Sequence, residues 1–559
     1  MSSKAIGIDL GTTNTVCGVY QNNQVIIIPN IGQNLTPSFI GFEETSSNIL
    51  IGEAARNKFI SNSENTIYDA KRLIGRRFKD KSVQEDIKIL SYKNKIKESK
   101  VSGRCEIEDK KNKYTIEKIS SLILGQMKKS AEEYLEEEVK DCVITVPAYF
   151  NEVQKQCTRD AGTIAGLNVM RIINEPTAAA IAYRLDGINN KGQYVFVFDL
   201  GGGTFDVSIL YINDDGDIEV KAIDGVSHLG GIDFDKRMVD YCIEDFKEKN
   251  EIDLSNDPKI VNKIKRECER GKKDLSNEGV SEVNINIEGI IKGYNLDVNI
   301  TLAAFNDICQ DLFDECLKCI KNVFKKANMD KNQINKIIRI GGSSRMKKIK
   351  DILTKFFKKD ITSEGLMINV DEAVAIGAAY QAALIKGDIK DKKIVIDIVG
   401  ITIGYDDGNG NMIIIFGENT TLPNFKKLNF KASQGNDFNI KIYQGEEKKC
   451  IDNYLLKEFV IHDVSNNEEF EITFKIDVNS ILSVFYKKKG DNKEIELFDT
   501  DNCSICIRKR IIYYCEKEIK NKNAKAAEIK KKVENNKNLS VEELKKIEVD
   551  LTDSFILNL

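Results

Sequence analysis

Apolar and polar positions follow two different periods along the first two thirds of the chain. Short apolar runs, typical of buried strands, occupy residues 5–9, 15–20, 142–146, 194–199, 205–212 and 336–340. Helical periodicity covers residues 116–138, 152–166, 174–185, 231–249, 256–275, 301–327, 344–357 and 371–386. Alternation of strands and helices predicts an α/β domain over residues 1–386.

The pattern changes beyond this point. Residues 387–397 are predicted to be a linker with a short apolar stretch. Over 398–506, short strands recur between turn sequences such as Asp407-Gly408-Asn409-Gly410, which predicts an antiparallel β-sandwich. Residues 507–559 are rich in lysine and glutamate and predict a short helical tail, in which Ser540-Val-Glu-Glu543 resembles a capping box.

Composition excludes several classes of protein. Of the 559 residues, 41% are hydrophobic and 30% charged, which is the balance of a globular protein rather than a disordered one. The net charge of −4 gives no support for nucleic-acid binding. No apolar run approaches the ~20 residues that a membrane-spanning helix needs. Because the strand pattern begins at about Lys4, no leader peptide is expected, and we predict a cytoplasmic protein.

Thirteen cysteines are scattered along the chain. Two Cys-x-x-Cys pairs occur, Cys316/Cys319 and Cys503/Cys506, but a zinc site needs four ligands and the chain has only two histidines. In a reducing compartment such cysteines are mostly small apolar fillers, so a structural role is favoured over a redox or metal role.

Three glycine-marked turns carry the candidate chemistry. In the first, Asp9 ends an apolar strand and Gly11-Thr12-Thr13-Asn14 follows. Glycine lets an anion approach backbone N–H groups and the threonine hydroxyls add donors, so this turn suits a phosphate. Asp9, beside those donors, is placed to face a magnesium ion, through water.

The second turn repeats the first at a distance of roughly 190 residues. Asp199 ends an apolar strand, Gly201-Gly202-Gly203-Thr204 follows, and Asp206 begins the return strand. Either turn alone could be an ordinary tight β-turn, but the repetition predicts a duplicated domain whose halves clamp one polyphosphate. A third turn, Gly341-Gly342-Ser343-Ser344-Arg345, leads from a strand into a helix and suits the edge of a nucleotide.

These turns lie within longer stretches that resemble the 70-kilodalton heat-shock protein family. The matching stretches are Gly7-Ile-Asp-Leu-Gly-Thr-Thr13, Asp69-Ala-Lys-Arg-Leu-Ile-Gly-Arg-Arg77, Ile144-Thr-Val-Pro-Ala-Tyr-Phe-Asn151, Asp160-Ala-Gly-Thr-Ile-Ala-Gly-Leu-Asn168, Arg171-Ile-Ile-Asn-Glu-Pro-Thr-Ala-Ala-Ala180, Phe198-Asp-Leu-Gly-Gly-Gly-Thr-Phe-Asp-Val207, His228-Leu-Gly-Gly231 and Asp371-Glu-Ala-Val-Ala375. The resemblance covers nearly all of residues 4–386, continues more loosely to about 490 and then fades. It implies an actin-like ATPase domain with two lobes around a cleft, followed by a β-sandwich that binds peptides.

The resemblance also implies ligands and roles for individual residues. The ligands are ATP or ADP with Mg²⁺ and K⁺, and Asp9 and Asp199 organise the cations. The implied catalytic residues are Asp9, Lys71, Glu175, Asp199, Thr204 and Asp206. The implied phosphate-binding residues are Gly11, Thr12, Thr13, Asn14, Gly201, Gly202, Gly203 and Thr204. The other implied nucleotide-binding residues are Gly230, Glu269, Lys272, Lys273, Ser276, Gly341, Gly342, Ser343, Arg345 and Asp371.

Position alone would leave Lys71, in Asp-Ala-Lys-Arg, as a solvated surface lysine, and only the resemblance gives it contact with the γ-phosphate and the attacking water. Lys273 stands where the family has arginine, which stacks on an adenine ring more readily, so a weaker adenine affinity is expected.

Interdomain coupling is implied for Pro147, Lys155 and Glu175, and a contact with J-domain co-chaperones for Arg171, which could equally be an exposed ion-pairing arginine. In the linker, Lys392 replaces an acid that is usual in the family. This charge inversion near the expected J-domain contact puts the coupling and the choice of co-chaperone in doubt.

The implied peptide groove is mostly apolar, although the same positions could be ordinary sandwich core. Its residues are Tyr405, Phe430, Ser433, Phe438, Ile440 and Ile481. Gly408 stands where a large arch side chain is expected, and Ser480 replaces a common glycine. Beyond about Cys506 only some fifty residues remain, which implies a short lid and fast peptide exchange, and no terminal acidic motif would dock tetratricopeptide-repeat proteins.

We therefore expect an ATP-hydrolysing chaperone that binds extended apolar segments of unfolded or nascent polypeptides. Its expected partners are a J-domain co-chaperone and a nucleotide exchange factor, with no nucleic acid and no membrane. One alternative is a relative that binds ATP without cycling and serves as an exchange factor or adaptor. Another is a small-molecule kinase of the same superfold, against which the chaperone-like stretches argue.

Overall fold

A computed structural model of the chain describes residues 4–43, 48–100, 102–109, 112–185, 192–359, 369–390, 393–432, 436–491, 494–497, 515, 524–536, 544 and 547. The chain forms two compact units. The first comprises Met1–Glu98, Cys105–Phe150 and Cys157–Gly400, and the second comprises Ser99–Arg104, Asn151–Gln156 and the chain from Ile401 onward.

The strands before Gly400 are, in chain order, β1 (Ala5–Leu10), β2 (Asn14–Gln21), β3 (Gln24–Ile28), β4 (Thr36–Pro37), β5 (Ile40–Phe42), β6 (Ile49–Ile51), β7 (Thr66–Ile67), β8 (Ile96–Glu98), β9 (Cys105–Asp109), β10 (Asn112–Thr115), β11 (Asp141–Val146), β12 (Asn168–Asn174), β13 (Gln193–Leu200), β14 (Phe205–Ile212), β15 (Ile218–Val226), β16 (Glu282–Ile291), β17 (Tyr294–Thr301), β18 (Lys336–Ile340) and β19 (Val395–Ile396).

The helices are α1 (Glu53–Asn57), α2 (Lys81–Ile89), α3 (Ile116–Leu135), α4 (Glu152–Ile164), α5 (Glu175–Leu185), α6 (Gly231–Asn250), α7 (Pro258–Leu275), α8 (Leu302–Ile308), α9 (Gln310–Ala327), α10 (Lys347–Phe357), α11 (Ala373–Lys386) and, in the second unit, α12 (Ala524–Asn535).

Two sheets of the first unit share one arrangement. In the first sheet the order is β12-β11-β1-β2-β3, with β4 beside β2, and in the second it is β18-β13-β14-β15-β19. In each, the strand that ends in the motif aspartate pairs in parallel with one neighbour and in antiparallel with the next strand of the chain. Asp9 and Asp199 therefore occupy equivalent positions at the ends of β1 and β13.

Most predicted elements of this unit are present, with shifted ends. The helix predicted over 256–275 begins at Pro258 because the Asp257 side chain accepts from the backbone N–H groups of Lys259 and Ile260. The prediction of a single helix over 301–327 is wrong. It is two helices, α8 and α9, because the backbone of Cys309 leaves the helical region at φ −109° and ψ 10°.

Small residues bring α11 against β1 and α5. A Cβ atom on Gly7 in β1 would lie 2.0 Å from the backbone nitrogen of Ala379, and one on Gly377 would lie 1.8 Å from the carbonyl oxygen of Ala178. No side chain fits either position, so the two glycines fix how closely the helix approaches the sheet and the neighbouring helix.

Gly377→Ala is expected to lower the free energy of unfolding by about 1–3 kcal/mol, because the new methyl group must displace backbone. Gly125→Ala is the matched control: it also lies within a helix but has no atom within 4 Å of its Cβ position. Alanine there should stabilise by up to about 1 kcal/mol. Urea unfolding followed by far-ultraviolet circular dichroism measures both, and shifts of the same sign would contradict this account of the packing.

The segment predicted as the linker continues the second sheet. Val395 and Ile396 form β19, which pairs in parallel with Ile218 and Glu219 of β15. Two side-chain bonds hold its ends, from the Ile394 N–H to Asp217 Oδ1 at 2.8 Å and from Asn174 Nδ2 to Asp397 Oδ2 at 2.8 Å. Lys392 lies outside the described residues.

The second unit contains two four-stranded sheets, ordered β21-β20-β23-β24 and β22-β25-β26-β27. The strands are β20 (Ile403–Asp406), β21 (Met412–Phe416), β22 (Asn424–Lys431), β23 (Asn436–Gln444), β24 (Tyr454–Val464), β25 (Glu469–Ile476), β26 (Leu482–Lys488) and β27 (Ile495–Leu497). Aromatic rings from the two sheets meet, as where Tyr405 of β20 lies 5.5 Å from Phe430 of β22 between ring centroids. The capping box predicted at Ser540, and most of the tail, lie outside the described residues.

The eleven described cysteines are all free and buried. Cys316 and Cys319 lie on the inner face of α9, and burial raises the pKa of the Cys319 thiol to about 12. Among the residues that the structure describes, no three His, Cys, Asp or Glu side chains form a metal-binding group. Cys503 and Cys506 lie outside these residues. Among the described residues, no helix is long and apolar enough to cross a bilayer.

Candidate functional site

A cavity of about 1340 Å³ lies in the first unit where all three glycine-marked turns meet. Its lining includes Asp9 and the Gly11-Thr12-Thr13-Asn14 turn from β1, Asp199 with Gly201, Gly202 and Thr204 from β13, and Gly341-Gly342-Ser343 after β18. The ends of these strands therefore converge on one site.

The first two turns touch each other. A Cβ atom on Gly202 would lie 2.0 Å from Thr13 Oγ1, and one on Gly203 would lie 2.7 Å from Thr12 Oγ1. Only glycine allows this contact, which brings the backbone N–H groups and hydroxyls of both turns to one place. Gly203 and Gly230 pack behind the turn rather than in the cavity lining, since a Cβ on Gly230 would lie 2.5 Å from the Gly202 carbonyl.

The catalytic residues implied by the resemblance lie together beside these turns. Lys71 Nζ lies 2.7 Å from Glu175 Oε1, and both side chains are almost completely buried. Asp199 and Asp206 face each other across the β13–β14 hairpin. Asp206 is fully buried behind the cavity, where its Oδ1 accepts a hydrogen bond from the Tyr149 N–H at 2.9 Å.

Carboxylates outnumber cations at this site. Burial and, after it, the carboxylate of Glu175 raise the pKa of Asp9 to about 7, although Lys71 opposes this shift. Burial and Glu175 likewise raise the pKa of Asp206 to about 7 and that of Asp199 well above its ordinary value. One oxygen of Asp199 and one of Asp206 are buried without a hydrogen-bond partner.

Such a set fits hydrated cations. Mg²⁺ prefers oxygen ligands and keeps much of its water shell, and a positive charge here would relieve the repulsion among the carboxylates. Asp9 and Asp199 line the cavity next to the two glycine turns, so they are the residues that would hold hydrated Mg²⁺. That arrangement needs no cluster of three direct protein ligands.

The raised pKa values predict how stability depends on pH in buffer without Mg²⁺ or nucleotide. Between pH about 4 and 7, folded Asp206 keeps a proton that the unfolded chain has lost, so its stabilising contribution disappears as the pH rises. Asp206→Asn should remove this dependence. The difference in unfolding free energy between wild type and variant should fall by up to about 1.4 kcal/mol per pH unit. Urea melts at pH 4.5 to 7.5 measure it, and a constant difference would refute the raised pKa.

The proposed adenosine side uses two walls of the cavity. Glu269, Lys272, Lys273 and Ser276 come from α7 and its end, while Arg345 and Asp371 form an ion pair on the other wall at 2.8 Å. Lys272 is buried, and its Nζ donates to the Gly231 carbonyl at 2.7 Å and lies 2.8 Å from Asp235 Oδ1. Lys272 therefore joins α7 to the start of α6, whereas Lys273 is exposed and pairs with Glu269.

The structure adds residues that the sequence analysis did not assign to the site. Arg72, next to Lys71, is buried and donates to Asp86 Oδ1 at 3.2 Å, to both carboxylate oxygens of Asp233, and to the Gly203 carbonyl at 3.3 Å. Asp233 also accepts from the Gly230 N–H at 2.8 Å. Arg72 thus holds the second phosphate turn, and its only signal in the sequence was its place inside a matching stretch.

A second addition also belongs to the cavity lining. Lys265 Nζ lies 3.3 Å from Asp69 Oδ2 and 4.5 Å from the centre of the Tyr68 ring. Asp69 has a left-handed backbone, with φ 56°, two residues before Lys71. The ion pair therefore fixes a residue in a strained backbone conformation two positions before Lys71.

Comparison with known proteins decides the family. The family model described as Hsp70 protein matches residues 5–554 of the chain. The chain belongs to the Hsp70 family. Its members are ATP-binding chaperones of the stress response and hydrolyse ATP.

Curated relatives agree with this assignment. The chain is 41% identical over 509 residues to a protein of Emericella nidulans named Heat shock 70 kDa protein, and the match covers 89% of this chain and 78% of the relative. It is 40% identical to Heat shock 70 kDa protein 2 of Paracoccidioides lutzii, of which it covers 77%, and to a Heat shock 70 kDa protein of Neurospora crassa.

Of the coupling residues predicted for this Hsp70 chain, Glu175 lines the cavity, whereas Pro147, Lys155 and Arg171 do not. Pro147 follows β11 directly, one residue before Ala148 and two before Tyr149, whose N–H groups bond to Asp206. Arg171 lies half-buried in β12, and Lys155 is buried in α4. Their roles in coupling stay predictions.

The predicted groove residues of this Hsp70 chain contribute to the packing between the sheets of the second unit. Phe438 lies 5.8 Å from Phe430 and 5.0 Å from Phe470 between ring centroids. Ile440 and Ile481 are buried. Tyr405, Phe430 and Phe438 are half-buried, so the groove and the sandwich core both stay predictions for these positions. Ser433 lies outside the described residues.

Proposed function

We propose that this Hsp70-family chain is an ATP-dependent chaperone. It hydrolyses ATP to ADP and phosphate in the cavity of the first unit, which we take to be an actin-like ATPase domain. It binds extended apolar segments of unfolded or nascent polypeptides in the β-sandwich, and hydrolysis controls its affinity for them. The observation that carries the proposal is the buried Lys71–Glu175 pair beside two touching glycine turns.

Phosphoryl transfer depends mostly on positioning and charge neutralisation, and the residues support both. The backbone N–H groups and hydroxyls of the two turns bind the phosphates. Lys71 brings a positive charge to the γ-phosphate and to the attacking water, with Glu175 fixing its position. Thr204 donates its hydroxyl to the γ-phosphate. When bound, Mg²⁺ and K⁺ neutralise phosphate charge, and Asp9 and Asp199 hold them through water.

We further propose that a J-domain co-chaperone contacts Arg171 and the linker, and that an exchange factor assists release of ADP. Lys392 stands in the linker where the family usually has an acid, so we expect weakened coupling. We expect the protein to act in the cytoplasm.

The packing of Phe430, Phe438, Ile440 and Ile481 favours one second candidate. Ile440 and Ile481 are buried and offer little surface to an open groove, whereas Phe430 and Phe438 are half-buried. A non-cycling relative, which binds ATP and acts as an exchange factor or adaptor, would need no such groove.

Single-turnover ATP hydrolysis by the full chain distinguishes the candidates. The assay uses excess enzyme, with an extended apolar peptide or with a peptide of equal length in which charged residues replace the apolar ones. Slow basal hydrolysis that only the apolar peptide accelerates supports the proposed chaperone. Equal hydrolysis with both peptides would show an ATPase that is not coupled to the sandwich. ATP that is bound but never hydrolysed would refute the proposal and favour the adaptor.

A further inference from the structure

A buried hydroxyl lies directly behind Asp9. Thr145 belongs to β11, which pairs in parallel with β1 so that Ile8 lies opposite Ile144. The next residues along both strands are Asp9 and Thr145, whose side chains therefore point to the same face at the same level. Thr145 Oγ1 donates to Asp9 Oδ1 at 3.0 Å.

The two side chains differ in their access to the cavity. Asp9 is part of its lining, whereas Thr145 is fully buried and is not. The threonine can affect a bound group only through the aspartate. A buried hydroxyl costs free energy unless it is hydrogen-bonded, and the residues on either side, Ile144 and Val146, are apolar.

The second sheet provides an internal comparison. Asp199 is the equivalent of Asp9, and the residue opposite it on the parallel strand β18 is Ile340, which has no hydroxyl. One oxygen of Asp199 has no hydrogen-bond partner. The two equivalent aspartates are thus held differently: a donor fixes Asp9 from behind, while Asp199 has an aliphatic neighbour at that position.

We propose that Thr145 is a positioning residue that orients the Asp9 carboxylate toward hydrated Mg²⁺ bound with the nucleotide. This inference rests on the proposed function, since it gives Asp9 a task only if the cavity binds Mg²⁺ and a nucleotide. With Oδ1 accepting from Thr145, the carboxylate plane is fixed and does not need to be ordered when the cation arrives. Partners that orient metal-binding carboxylates typically contribute ten- to a hundredfold to metal affinity.

The test uses two substitutions at Thr145. Thr145→Val keeps the shape and removes the hydroxyl, and Thr145→Ser keeps the hydroxyl. The matched control is Thr473→Val in the second unit, where an equally buried threonine donates to the Glu494 carboxylate at 2.9 Å. ADP affinity is titrated by calorimetry against Mg²⁺ concentration, with a baseline in EDTA, and melting curves show that each variant folds.

Thr145→Val should raise the Mg²⁺ concentration for half-maximal tightening of ADP binding by about ten- to a hundredfold, with ADP affinity in EDTA unchanged. Thr145→Ser should return it to within about twofold of wild type, and Thr473→Val should not move it. An unchanged Mg²⁺ requirement in Thr145→Val, or no rescue by serine, would overturn the role of Thr145. Wild-type protein that binds no ADP even with Mg²⁺ would instead refute the proposed function.

Discussion

Lys71→Met should lower single-turnover ATP hydrolysis by at least about a hundredfold while ATP still binds. In an oxyanion hole, removal of one donor aimed at the developing charge costs about 10²–10³ in rate. Among the residues that the structure describes, Lys71 is the single cation within hydrogen-bonding distance of Glu175, at 2.7 Å. The glycine turns supply most of the contacts to the phosphates, so the nucleotide affinity should change much less than the rate.

Two companion variants separate chemistry from stability. Lys71→Met leaves the Glu175 charge buried without its partner, so Lys71→Met/Glu175→Gln should recover stability but not hydrolysis. Lys129→Met, on the exposed face of α3, removes the same charge and should hydrolyse ATP like wild type. If Lys71→Met turned over ATP at the wild-type rate, Lys71 would have no part in the chemistry.

Arg72→Met should lower the free energy of unfolding by about 3–5 kcal/mol, because it leaves buried carboxylates without their cation. Burial disfavours the charge of Arg72, but the carboxylates of Asp233 and Asp86 raise its pKa. Their attraction therefore offsets the desolvation of the guanidinium group. The substitution also removes the hydrogen bond to the Gly203 carbonyl and the cation beside Asp233, whose side chain caps α6. We therefore expect weaker ATP binding as well.

Urea melts and ATP titrations check both parts of this prediction. Arg237→Met is the control, since the Arg237–Asp311 pair is exposed and such pairs contribute less than about 1 kcal/mol. Arg72→Met/Asp233→Asn should be more stable than Arg72→Met alone, because it also removes the carboxylate charge that Arg72→Met leaves unpaired at Asp233. A loss in Arg72→Met no larger than in Arg237→Met would show that the network contributes nothing to folding.

Local pattern was sufficient to predict the strands and turns that build the cavity. The runs that become β1 and β13 are apolar and short, and each is followed by glycine and threonine, so both the strand and its end are determined by neighbouring residues. Asp9 and Asp199 could be matched because they stand at the same step of that pattern. The break between α8 and α9 could not be predicted, since apolar periodicity continues through Cys309.

Contacts between residues far apart in the sequence could not be predicted from the local pattern of apolar and polar positions. Arg72 and Asp233 are 161 residues apart, and Thr145 and Asp9 are 136 apart, so each contact depends on how strands and helices come together. Lys71 and Glu175, 104 residues apart, were identified only through the family resemblance. Threonine at position 145 looked like one more β-branched strand residue.

Because every described thiol is buried, the rate of thiol alkylation measures how often the protein opens locally. Burial raises the pKa of Cys17 to about 12 and that of Cys142 still higher, so an alkylating reagent at neutral pH can react only when the protein opens. Cys17 and Cys142 lie in the first sheet and Cys268 lies in α7. Native-state alkylation read by peptide mass would therefore time the opening of each region separately, without any introduced probe.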